Sequence, residues 1–168
     1  MKLERLTLLV SRFNCPNSMW KDKSREEYVN WLHIRLDLFS RYTFKSYQNL
    51  NTKPDCWTIL VEKEKLDDKT LTQLSSLISQ ENCKLVQYKS NLQASLLEYL
   101  VNTYGVENFP REVRTTRLDT DDLISKDFFD KINSVTLESN TSQLLISFPG
   151  GANYDLEAEV FYYSSYPE

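Results

Sequence analysis

The stretch RTTRLDTDD, Arg114 to Asp122, decides how this chain reads. Its first half belongs to Glu112–Leu118, a β-branched run without turn residues that reads as a strand. That strand passes straight into three carboxylates, Asp119, Asp121 and Asp122. Acidic groups so close repel one another unless cations or free helix N–H groups hold them. Extended backbone points residues two apart to the same side, so Asp119 and Asp121 can converge on one ligand while Asp122 braces the loop. A hard divalent ion, Mg²⁺ or Mn²⁺, suits that pair, because it takes one or two carboxylates and completes its shell with substrate phosphates. The same residues also read as an acidic helix start. Thr120 or Asp121 would then be the N-cap, with Asp122 favoured by the helix dipole. The two readings are compatible.

Working outward, the flanking segments alternate. Leu6–Val10 is a short strand, followed by the polar loop SRFNCPNS. Tyr28–Tyr42 has the length of a helix and lacks Gly and Pro, and Thr43–Asn49 continues or follows it. Cys56–Glu62, CWTILVE, is a buried-strand signal. Leu71, Leu74, Leu77 and Ile78 recur at helical spacing behind an N-cap at Asp67 or Asp68. Lys84–Tyr88 is a further strand. Leu92–Tyr104 is the clearest helix, with Gly105 where a stop belongs. After the acidic stretch comes a short helix at Lys126–Ile132. Then Gln143–Phe148 and Leu156–Tyr163 form a hairpin across PGGANYD, with Gly150-Gly151 as a turn. This order predicts an α/β fold: a mostly parallel sheet flanked by helices, with a C-terminal β-hairpin. Such sheets bind ligands at the carboxyl ends of their strands, here SRFN, Glu62 and DTDD.

Composition narrows the function. The 168 residues fit one domain. Three glycines, none in a phosphate-cradling motif, exclude P-loop and dinucleotide fingerprints. His33 is the lone imidazole, which excludes multi-histidine metal sites, and it reads as a packed or surface residue. A net charge of −4 does not suit a nucleic-acid binder. Three scattered cysteines predict reduced thiols in a cytoplasmic protein. No apolar run is long enough to span a bilayer, so membrane contact would be peripheral.

With these elements in order, the chain resembles GT-A-fold glycosyltransferases, and among them the rhamnosyltransferase-like family. The likeness covers about Leu6 to Tyr163. It is carried by Arg12-Phe13-Asn14 at the first strand end and by Trp31, Arg35, Leu38 and Phe39 on the following helix. Thr43, Ser46 and Gln48, then WTILVE, TTRLDTDD and FPGG, complete it. The resemblance implies transfer of a sugar from a nucleotide-diphosphate donor to a glycan or other acceptor hydroxyl. It implies a Mg²⁺ or Mn²⁺ ion bridging the diphosphate, with Asp121 as its contact. Asp119 would meet the ribose or an ion-bound water, and Asp122 is a further candidate for either.

Ser11, Arg12 and Asn14 would lie beside the nucleotide, and Glu62 occupies the position from which relatives contact the base. Arg114 and Arg117 carry the charge to offset a diphosphate, but strand alternation lets at most one of them face the site. Arg35 reads as a solvated or snorkelling side chain. Asp155 and Glu157, with Glu159, are the acidic residues available as a general base, on a strand face that also reads as merely solvated. The donor-binding part would span about residues 1–125. That leaves a short acceptor-side part, about 126–168, so a truncated enzyme or a non-catalytic nucleotide-sugar or carbohydrate binding module is the alternative.

Overall fold

A computed structural model describes residues 4–16, 18–20, 22–136, 145 and 150–165. The chain divides into two compact units, Met1–Asp130 and Lys131–Glu168. In the first unit, β1 (Arg5–Arg12), β2 (Cys56–Val61), β3 (Cys83–Gln87) and β4 (Glu112–Arg117) form one parallel sheet in the order β3-β2-β1-β4. The inner strands are buried along nearly their whole length, which is why LTLLVS and CWTILV lack an apolar–polar alternation. The four-stranded sheet with its flanking helices, and the antiparallel hairpin after it, make up the α/β, GT-A-like arrangement expected from the sequence.

Each face of the sheet has its own core. Leu6, Leu8, Val10, Cys56, Leu60 and Val86 meet Leu96 and Leu100 of α4 (Leu92–Tyr104). The opposite face is aromatic. There Trp57 packs 4.5 Å from Tyr47 and 5.4 Å from Phe39, measured between ring centroids. Phe39 opens a π-helical turn, Phe39–Thr43, between α1 (Arg25–Leu38) and α2 (Phe44–Gln48). The widened turn lets consecutive helical segments present both Phe39 and Phe44 to the same tryptophan.

Local chemistry sets the helix ends. α1 starts three residues before the expected Tyr28, at a capping box. The Glu27 amide donates to the Ser24 hydroxyl at 3.2 Å, and the Ser24 amide donates to the Glu27 carboxylate at 2.8 Å. Asp67 caps α3 (Asp68–Ile78) by accepting from the Thr70 amide at 3.0 Å and its hydroxyl at 2.6 Å. α4 ends at Gly105, whose φ of 72° and ψ of 161° suit glycine, as its place in the sequence predicted.

Two expectations need correction. Asp119–Asp122 is neither extended backbone nor a helix cap. The Asp122 amide donates to the Asp119 carbonyl at 3.1 Å, closing a turn, and α5 begins only at Phe128 (Phe128–Ser134). The second unit holds the hairpin, but in another register: β5 is Gly150–Asp155 and β6 is Val160–Ser165. Gly150-Gly151 therefore starts a strand, and the turn is Leu156–Glu159. Residues 143–144 and 146–148 of the expected strand lie outside the described residues.

Candidate functional site

The sheet order fixes where a ligand crevice can lie. From β1 the chain steps outward to β2 and β3, then crosses to β4 on the other side of β1. The direction of winding reverses between β1 and β4, and loops leaving a reversal point part to leave a crevice at the carboxyl ends. SRFN leaves β1 there, and LDTDD leaves β4.

Arg12 and the acidic turn face one another across this reversal. An Nη of Arg12 lies 3.7 Å from Asp119 Oδ1, and Arg117 reaches the same carboxylate with hydrogen bonds of 3.0 and 3.3 Å. Arg114 pairs instead with Glu112 on its own strand. Asp121 pairs with Arg35 at 3.7 Å. Asp122 has its carboxyl raised above the ordinary carboxylate range, first by desolvation and then by the charges of Asp121 and Asp119. Among the described residues, no three His, Cys, Asp or Glu side chains gather as a metal-binding group.

Two of the residues expected beside a nucleotide are braces. Ser11 is fully buried, and its hydroxyl donates to the Leu118 carbonyl at 2.6 Å and accepts from Trp57 Nε1 at 3.0 Å. It ties the start of the acidic turn to the sheet's aromatic core. Asn14 is also buried, and its amide closes a two-way pair with the Glu62 backbone, donating at 3.0 Å and accepting at 2.9 Å. That pair locks the carboxyl end of β1 to that of β2. The Glu62 carboxylate itself pairs with Lys65 at 2.8 Å. Thr120, likewise buried, donates to the Arg12 carbonyl at 3.4 Å and holds the middle of the turn against β1.

The sequence reading missed the contribution of α1. Arg35 is not solvated: its side chain is 18% exposed and donates to the Arg12 carbonyl at 3.4 Å. Its guanidinium lies 5.2 Å from the Trp31 ring centre. Trp31, Tyr28 and Trp20 form a ring cluster with centroids 4.6 to 5.6 Å apart. The Tyr28 hydroxyl accepts from the Asn14 amide at 3.3 Å, joining this cluster to the strand ends. The spacing of Trp31 and Arg35, one helical turn apart on one face, was the available signal.

The base candidates sit in the hairpin unit. Asp155 Oδ1 accepts from the Glu157 and Ala158 amides, each at 2.9 Å, and these bonds hold its exposed carboxyl below the ordinary range. Asp155 ends β5, while Glu157 and Glu159 lie in the turn, so the three do not share a strand face.

The α/β sheet thus places charged side chains at a winding reversal, the place where open sheets bind ligands. The sequence model of the family described as "Putative rhamnosyl transferase" matches residues 8–165, and the chain belongs to that family. No curated protein matches the chain, and neither does any solved structure. Membership points to glycosyl transfer, with a sugar donor and an acceptor as partners. Among the described residues, no helix is long and apolar enough to cross a membrane.

Proposed function

We propose that the chain is a metal-dependent glycosyltransferase moving a sugar from a nucleotide-diphosphate donor to an acceptor hydroxyl. The observation carrying this reading is the meeting of Arg12, Arg117 and the acidic turn at the β1/β4 reversal. A crevice with both charges suits a polyanion that arrives with a cation.

Carboxylate oxygens are the ligand type that a hard divalent ion takes. Asp121 is half exposed, and Asp122, its carboxyl raised first by desolvation, lies beside it. Asp121 would hold Mg²⁺ or Mn²⁺, with Asp122 as a further ligand and Asp119 toward the ribose. When bound, the ion would offset charge on the leaving nucleotide as a Lewis acid. Arg12 and Arg117 would orient the diphosphate. Ser11 and Asn14 would keep the strand ends from moving, and Glu62 would stand at the base end. The three free thiols, Cys15, Cys56 and Cys83, support a reducing, cytoplasmic setting.

Calorimetry with Mn²⁺ and a panel of UDP, GDP and dTDP tests this reading. Binding of at least one, lost or weakened in Asp121→Ala, is the expected result. No binding, or binding unchanged in that variant, overturns it. The commitment of Asp155 to its turn favours a second reading, a non-catalytic nucleotide-sugar or carbohydrate binding module of the same fold. Donor hydrolysis or transfer by the purified chain would exclude that second reading.

A further inference from the structure

Arg35 holds a position in which its donors are poorly met. Its side chain is mostly buried, yet its Nε is shielded from solvent and has no hydrogen-bond partner. Its contact with Asp121, at 3.7 Å, is longer than a charge-assisted hydrogen bond. Its bond to the Arg12 carbonyl, at 3.4 Å, is long as well. Arg12, though its side chain is 42% exposed, also has a shielded Nε without a partner and a 3.7 Å contact to Asp119. The bond from Arg35 to the Arg12 carbonyl sets both residues at the end of β1. A buried guanidinium with unmet donors loses solvation that only an acceptor can replace.

The geometry points to Arg35, in cation–π contact with Trp31 and facing Arg12, as a binding residue for the donor's diphosphate. This inference rests on the reading of the crevice as a nucleotide-diphosphate site. Diphosphate oxygens match the planar fork of guanidinium better than a single carboxylate does, because several acceptors can be met at once. The Trp31 ring, 5.2 Å from the Arg35 Cζ, holds the guanidinium in place by a cation–π contact. The acidic turn, at its looser 3.7 Å contacts, can yield both guanidinium groups to the ligand while remaining beside them for a cation.

The test uses inorganic pyrophosphate and orthophosphate as probes, with and without Mg²⁺, on the full chain. Calorimetry should show pyrophosphate binding tighter than orthophosphate. Arg35→Gln should weaken pyrophosphate by about 10- to 100-fold and shrink the preference over orthophosphate. Arg35→Lys should recover part of the affinity, because it restores charge without the fork. Arg41→Gln, which removes an exposed guanidinium of the π-helical turn, should leave pyrophosphate affinity unchanged. Thermal melting of each variant checks folding, and the ratio of the two affinities separates ligand contact from a loss of fold. Pyrophosphate affinity and preference unchanged in a folded Arg35→Gln would overturn the inference, as would no pyrophosphate binding by the parent chain. If nucleoside diphosphates bind while Arg35→Gln changes nothing, the assignment of Arg35 fails and the broader reading survives. If pyrophosphate binds through Arg35 but no nucleoside diphosphate does, the assignment of Arg35 as an anion-binding residue stands and the nucleotide reading fails.

Discussion

Ser11 is the residue on which the acidic turn depends. Its hydroxyl joins Trp57 Nε1 to the Leu118 carbonyl in a fully buried setting, so no water can substitute for it. Ser11→Ala should lower stability by about 1–3 kcal/mol, the usual cost of stranding buried polar partners. Chemical denaturation of the two chains measures this, and an unchanged midpoint would contradict the role. Asp67 makes a second prediction. Desolvation would raise its carboxyl, but the Thr70 hydroxyl and amide and the nearby His33 outweigh it and lower the value from 3.8 to about 2. Because the folded value lies below the unfolded one, the stabilisation is present above about pH 4 and is lost as pH falls toward 2. Asp67→Asn should therefore flatten the acid limb of the stability curve, as followed by thermal melting between neutral pH and pH 2.

At this scale the sequence disclosed charge and position but not direction. Asp119 and Arg117 were legible because they flank a strand end. Ser11 and Asn14 were legible as neighbours of the site, but their burial was not, since it comes from the partners Leu118 and Glu62, far away in the chain. Arg35 was misread because a helix that buries only Leu32 and Leu36 gives no clear face from which to orient it.

Among the elements, end chemistry offers the sharpest tests. Ser24→Ala removes half of the capping box and should cost about 1 kcal/mol. Gly105→Ala should cost about 1–3 kcal/mol, because its φ of 72° strains any residue with a Cβ, while the nearby Glu107 carboxylate can swing aside. Guanidinium titrations read both values, and equal midpoints would refute them. α3 and α4 were legible because Asp67, Gly105 and the leucine spacing agree on their boundaries. The start of α1 was also written in the sequence, as Ser24-x-x-Glu27, but the weak apolar pattern drew the boundary to Tyr28. The hairpin register went astray because a Gly-Gly pair signals a turn locally, whereas cross-strand pairing of Gly150 with Ser165 and of Gly151 with Ser164 places it in a strand.

For the whole molecule, β1 carries the fold and the crevice together. It is central in the sheet, paired to β2 on one side and β4 on the other, and its end lies at the winding reversal. Hydrogen exchange should find the β1 and β2 amides protected longest and the β5–β6 pair exchanging much sooner, because β1 and β2 are inner strands paired on both sides whereas a two-stranded pair has only edges. Equal protection of the two would contradict that ranking. The alternation of elements made the parallel sheet legible from the chain, while strand order needed the structure, since pairing of β4 beside β1 leaves no local trace. The most direct measurement is a crystal structure with Mn²⁺ and the nucleoside diphosphate that binds best. The diphosphate is expected between Arg12 and the acidic turn, with the Mn²⁺ anomalous peak beside Asp121. A nucleotide seated elsewhere on the molecule, or a Mn²⁺ peak away from Asp121, would contradict the account.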